Sequence, residues 1–167
     1  MEDRKSLSMR EKILRKQIRS WIIFFMVCIT LSGITAFPIE TEMKFLDSHS
    51  AIFPPAMQEW IHKIYTGVTA TNQSYSFLAY GTDWLAFAHI VIALIFVGPL
   101  LNPVRNKWVI DWAIISCLLV FPLAFIAGPI RSIPFFHILI DCSFGVIGII
   151  PLLIVRKKIK ELELLQG

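Results

Sequence analysis

Apolar positions fall into four long blocks, Trp21–Ile39, Trp84–Leu101, Trp108–Ala127 and Phe135–Val155, separated by two short polar turns and one long mixed segment. A helix needs about 20 mostly apolar residues to cross a bilayer, so the blocks predict four spans at about 21–39, 84–101, 108–127 and 135–155. Two of the connections are short and carry helix breakers, Asn102-Pro103-Val104-Arg105-Asn106-Lys107 and Gly128-Pro129-Ile130-Arg131-Ser132-Ile133-Pro134. Connections this short force antiparallel neighbours, so the second, third and fourth helices are expected to pack up-down-up. The fold class is all-α: a polytopic transmembrane four-helix bundle with an amphipathic surface helix on the outer side. A basic cytoplasmic arm (1–20) precedes the transmembrane domain (21–155), and a cytoplasmic tail (156–167) follows it.

The surface helix comes from the outer segment, 40–83. Pro54-Pro55 can open a helix. Met57, Trp60, Ile61, Ile64 and Val68 then recur at helical spacing, with Gln58, Glu59, His62 and Lys63 on other faces. This predicts a helix over about 55–68, in the headgroup region or capping the bundle mouth. Asn72-Gln73-Ser74 is a glycosylation sequon on the same side and matters only in a eukaryote.

Composition sharpens this picture. Apolar residues make up 56% of the 167 and charged residues 17%, below the roughly 25% usual for soluble domains. The net charge of +4 is no nucleic-acid signal, because the cations flank the apolar blocks. Seven Lys and Arg precede Trp21, two lie in the 102–107 turn and four between Arg156 and Lys160, against Lys44, Lys63 and Arg131 elsewhere. This asymmetry predicts that both termini are cytoplasmic. Trp21, Trp84, Trp108 and Trp112 lie at predicted span ends, where amphipathic rings prefer to sit. A cleaved signal peptide is the rival for the first block, with Ala36 as the cleavage position. Ile34 is a poor residue two places earlier, and the basic region is long for a leader.

Cys28, Cys117 and Cys142 all sit in apolar blocks, and no CxxC occurs, so they are expected as free thiols packed among helices. There is no phosphate loop, HExxH or GxSxG. The informative residues are the polar ones inside the spans, because such groups are costly in a bilayer and usually face the bundle interior. His137 and Asp141 are four apart and share a face, continued by Gly145 and Gly148. His89 is flanked by Ala86 and Ala93, and the first span offers Cys28, Ser32 and Thr35. These three stripes are expected to face one another. At about 1.5 Å per residue, His89 and Asp141 lie roughly 8–10 Å inside the outer boundary. Arg131, Asp83, Glu40 and Glu42 sit near that boundary, whereas Asp111 reads as an interfacial residue at the inner end, and His49 and His62 as solvated. The expected site is therefore a buried outer-half cluster of His89, Arg131, His137 and Asp141, with Asp83 and Glu40 behind them.

Several chemistries fit that cluster. It can be a structural network, with His and Asp satisfying each other and Arg131 pairing with Asp141, Asp83 or Glu40 to pin the hairpin. His89 and His137 can be axial ligands of a haem b, with Arg131 on its propionates. His89, His137 and Asp141, with Glu40, can bind a divalent metal for hydrolysis. His and Asp can also relay protons, which in a four-span chain implies a homo-oligomer or a larger membrane complex. An enzyme, a cofactor carrier and a structural or binding subunit all remain open, and the lipid bilayer is the one partner common to them.

Several stretches resemble a family of small four-span bacterial inner-membrane proteins to which no activity is assigned. They are Ser32-Gly33-Ile34-Thr35-Ala36-Phe37-Pro38, Tyr80-Gly81-Thr82-Asp83-Trp84-Leu85-Ala86-Phe87-Ala88-His89, Asn102-Pro103-Val104-Arg105-Asn106, and Gly128-Pro129-Ile130-Arg131 through Leu139-Ile140-Asp141-Cys142-Ser143-Phe144-Gly145. The resemblance covers most of the chain after the basic arm. It implies a bacterial inner membrane and four spans, and supplies no catalytic mechanism. The chain does not resemble the haem, rhomboid or zinc-protease membrane families.

Overall fold

A computed structural model describes the backbone of residues 2–166 and the side chains from Lys5 onward. The described chain is helical, with no strand. In order, the helices are α1 (Glu2–Ala36), α2 (Ile39–Ser48), α3 (Pro55–Tyr75), α4 (Ala79–Ile95), α5 (Val97–Leu101), α6 (Lys107–Ile130) and α7 (Phe135–Gln166), with 3-10 turns at Ser50–Ile52 and Ser76–Leu78. Four helical stretches are long and apolar enough to cross a membrane: Lys5–Ala36, Pro55–Leu101, Lys107–Ile130 and Phe135–Gln166.

The helices outrun the apolar blocks. The arm and the tail, expected as flanking segments, are helical within α1 and α7. Ile39–Ser48, where the first apolar block ends and the outer segment begins, is also a helix, with Glu40 and Glu42 in its first turn, where carboxylates favour the helix dipole. The helix expected over 55–68 continues to Tyr75, because the polar run Thr69–Ser74 contains no Pro or Gly to end it. The break comes at Tyr75, whose φ of −144° and ψ of 55° leave the helical region. Along α3 the expected stripe Met57, Trp60, Ile61, Ile64 and Val68 is half-buried, and Glu59, His62 and Lys63 are exposed. Pro99 explains the break between α4 and α5. Its ring clashes with the carbonyl four residues back, at Ile95, where α4 stops.

The chain divides into two compact units, one of residues 1–27 and 94–167, the other of 28–93, with boundaries inside α1 and α4. In the first unit α6 and α7 form an antiparallel pair. Gly128 sits against Ile138 near the connecting turn, Gly145 against Cys117, and Lys107 reaches Glu163 at the far end. A Cβ on Gly145 would lie 2.8 Å from the Cys117 carbonyl oxygen, so only glycine permits this approach. In the turn, Ser132 takes a left-handed conformation (φ 56°), and the amides of Arg131 and Ile133 donate to the Gly128 carbonyl. The hairpin is thus pinned by backbone hydrogen bonds, and no ion pair of Arg131 contributes among the described residues.

Besides a cluster of Ala124, Ile138 and Cys142 between α6 and α7, the first unit buries a long seam. Leu152, Val155, Ile159 and Leu162 on α7 are spaced three, four and three apart and lie buried, as do Leu14, Ile18, Ile22 and Phe25 on α1. The α7 spacing is the a/d pattern of a coiled coil. Ile18, Ile159 and Leu162 are fully enclosed although they lie beyond the apolar blocks, among charged neighbours. Burying each such side chain away from water contributes about 1.5–3 kcal/mol. This is why the arm and tail fold as helices. In the second unit Gly33 of α1 lies against α4, where a Cβ would meet the Ala86 carbonyl oxygen at 2.7 Å.

Outside these seams the apolar blocks face outward. Leu123, Phe144 and Ile147 expose more than three-fifths of their surface, and no polar or charged side chain is buried among the described residues.

Candidate functional site

The six residues expected to form one outer-half cluster divide between the two units. Glu40, Asp83 and His89 belong to one, and Arg131, His137 and Asp141 to the other. None is buried. Arg131 is exposed and the other five are half-buried.

His89 sits in the contact between α1 and α4. A Cβ on Gly33 would lie 2.8 Å from the His89 Cβ, so glycine makes room for the imidazole's base. The ring turns back along its own helix, and Nδ1 donates to the Leu85 carbonyl at 2.8 Å. A neutral imidazole with its proton on Nδ1 carries its lone pair on Nε2. That nitrogen can accept a proton or bind a metal, and a backbone carbonyl on the opposite nitrogen is the usual way such a ring is oriented.

The expected first-helix stripe does not take part in that contact. Cys28, Ser32 and Thr35 are exposed, and Thr35 Oγ1 donates to the Ser32 carbonyl of its own helix. Gly33 turns toward α4 in their place, because the closest approach needs a residue without a side chain.

His137 and Asp141 stay together, as their spacing predicts. Nε2 and Oδ1 are 3.8 Å apart, with about a third and two-fifths of the respective side chains exposed. The stripe continues through Gly145 and Gly148, both against Cys117 of α6. The histidine and aspartate are therefore a half-buried pair on α7, where a buried one was expected. Cys142 is buried beside Ile138 and Ala124, Cys117 is half-buried and Cys28 exposed, and all three thiols are free.

In the second unit the carboxylate of Glu40 accepts from Asn72 Nδ2 at 2.6 Å, joining α2 to α3. The sequon asparagine is thus engaged in packing. His62, expected to be simply solvated, donates from Nδ1 to Asp47 at 3.2 Å across the same two helices. Among the described residues no group of three or more His, Cys, Asp or Glu side chains is placed to hold a metal ion.

The densest polar organisation lies at the opposite end of the first unit, around the seam of α7. Arg156 Nε donates to Asp111 Oδ1 on α6. Lys107 Nζ donates to Glu163 Oε2 at 3.2 Å. On the other flank Lys158 Nζ donates to Gln17 Oε1 at 2.7 Å, and Gln166 Nε2 to Glu11 Oε1 at 2.8 Å. Arg156 and Glu163 are seven apart, at the position following each d residue, and Lys158 stands just before an a residue. These are the seam-flanking positions at which charge pairs fix register in coiled coils. Asp111, expected as a lone interfacial residue, is part of this ladder. The signal was present in the sequence: Lys107 and Asp111 four apart on one helix, Arg156 and Glu163 seven apart on another, with opposite charges in matching order.

No protein-family model, curated protein or solved structure matches the chain.

Proposed function

We propose that the chain is a four-span integral protein of a bacterial inner membrane, with the arm, the 102–107 turn and the tail in the cytoplasm, acting as a structural or binding membrane subunit. One observation carries this reading. The apolar blocks present their large side chains outward along four long helices, while most of the Lys and Arg side chains fall in the arm, the short turn and the tail, where ion pairs join α6 to α7. A lipid environment covers so much apolar helix surface without cost. The excess of Lys and Arg at that end sets the orientation. The stretches resembling four-span inner-membrane proteins support the same reading. The segment between Pro38 and Asp83 then lies outside, with the half-buried stripe of α3 toward protein or lipid and its charged face toward water. Reporter fusions after Gly167 and near Asn72 are expected to give opposite localisation. The same side for both would overturn the span count.

A second reading is favoured by the His89 ring. Its Nδ1 is committed to the Leu85 carbonyl, which leaves Nε2 as the donor atom an axial haem ligand needs. The absorbance spectrum of the purified protein separates the two readings. A Soret band lost in His89→Ala supports a haem carrier, and a spectrum without one supports the structural or binding subunit.

A further inference from the structure

Four cations on α1 recur at the spacing of one helical face, Lys12, Arg15, Lys16 and Arg19, and with Ser20 and Ile23 they line a shallow groove. The face is turned away from the buried seam of Leu14, Ile18, Ile22 and Phe25. The four do not share one state. The Arg15 guanidinium is spent on Glu11, with Nε and Nη2 at 3.0 and 2.9 Å from one carboxylate oxygen. Arg19 Nε donates to the Leu100 carbonyl at the end of α5, at 3.3 Å, which holds the guanidinium in place, and its terminal nitrogens form no ion pair among the described residues. Lys12 and Lys16 are exposed and form no ion pair among the described residues. Three available cations therefore remain on one face.

The same face changes character within one turn. Ile23 and Val27, the next residues along it, each expose half their surface. A ligand lying here meets positive charge at one end and bare hydrocarbon at the other. An anionic phospholipid has that pattern, a phosphate for the cations and acyl chains for the apolar continuation. We infer that Lys12, Lys16 and Arg19 form a binding site for the headgroup of an anionic phospholipid, with its acyl chains along Ile23 and Val27. The inference rests on the membrane reading above, since it takes Ile23 and Val27 to be in lipid. It goes beyond the count of positive charges, which asks only how many cations lie on a side and not whether three share a face with one of them anchored.

The test uses the full chain in a nonionic detergent, where sidedness plays no part, so a failed topology and a failed lipid site are separate results. Phosphatidylglycerol and phosphatidylcholine with matched acyl chains are offered, and retained lipid is measured after gel filtration. The intact protein is expected to retain phosphatidylglycerol in preference. Combined Lys12→Gln, Lys16→Gln and Arg19→Gln should lower that retention on the order of tenfold, to the phosphatidylcholine level. Lys12→Arg with Lys16→Arg should preserve it, as should Lys44→Gln with Lys63→Gln, which removes charge elsewhere. If the triple variant loses helicity, Lys12→Gln with Lys16→Gln decides, because it leaves the Arg19–Leu100 contact untouched. Equal retention of the two lipids, or undiminished retention by a folded neutral variant, would overturn the proposal. Displacement of phosphatidylglycerol by millimolar inorganic phosphate would overturn it too, by showing a phosphate site that needs no lipid.

Discussion

Arg156 of α7 and Asp111 of α6 are joined by a charged hydrogen bond beside the seam that buries Val155 and Ile110. Each side chain keeps more than a third of its surface exposed. The bond therefore acts more on register than on total stability. One helical turn away Lys107 meets Glu163 with the charges in the opposite order, so a shifted pairing would place like charges together.

That arrangement predicts a specific double-mutant cycle. Asp111→Ala and Arg156→Ala should each destabilise the protein modestly, and their coupling should be about 0.5–1 kcal/mol, the range for partly exposed pairs. The charge swap Asp111→Arg with Arg156→Asp should recover most of the loss. Unfolding midpoints in detergent measure all four corners, and additive single changes would show that the bond contributes nothing.

The glycines separate close approach from mere flexibility. Gly145→Ala places a Cβ 2.8 Å from a backbone oxygen of α6, which cannot swing away. It should cost about 1–3 kcal/mol, as overpacking does. Gly148→Ala meets the Cys117 sulfur at 3.1 Å and should be milder. Gly81 has nothing within 4 Å of its would-be Cβ, so Gly81→Ala should be neutral or gain about 0.5–1 kcal/mol from helix propensity. The same denaturation assay ranks the three. Gly145→Ala behaving like Gly81→Ala would contradict the close approach of α6 and α7.

What the sequence disclosed follows from how local each signal is. The apolar blocks were legible because a long apolar helix advertises itself at nearly every position. His137 and Asp141 were legible because four residues on a helix is a local distance. Glu40 with Asn72 was not, since those partners meet only once two helices pack, and Asp111 with Arg156 left only a faint trace in the order of charges on two separate helices. The arm and tail carry helices that the sequence pattern hides for a different reason. Their lysines and arginines dominate the composition, and the seam beneath them, Leu14 and Ile18 on one helix and Ile159 and Leu162 on the other, amounts to one apolar residue in every three or four. The inward stripe of α1 was misplaced by a single residue, Gly33 for Ser32, because periodicity gives a face only to within such a step. The joint site of His89, Arg131, His137 and Asp141 was inferred from matched depth, which says nothing about which way a half-buried ring turns.

Glu40 and Asn72 supply a prediction confined to one unit. A hydrogen bond to a charged acceptor contributes about 1.5–3 kcal/mol, and a half-buried one should fall at the lower end. Glu40→Ala should release α2 from α3 without disturbing α6 or α7. Hydrogen exchange should quicken over residues 39–48 and stay unchanged over 107–130. Unchanged exchange in both would mean that the apolar contacts of the two helices suffice without the bond.

The last prediction concerns pH at the start of the α1–α7 seam. Glu11 lies in the arm, ahead of the apolar block that begins at Trp21. The hydrogen bond from Gln166 and the one from Arg15 both favour its ionised form and hold its carboxyl below the usual carboxylate range. A carboxyl whose value is lowered by folding adds stability that is fully present above the unfolded value. That stability is lost as pH falls through the lowered folded value. Acidification should therefore loosen the α7 end from α1 first. A spin-label pair placed outside the contact, near residues 8 and 164, would report the separation as distances that lengthen below the ordinary carboxylate range. Glu11→Gln keeps the shape but not the charge, so it should abolish this pH response while leaving the Lys158–Gln17 bond. A response that persists in Glu11→Gln would assign the transition to another carboxylate.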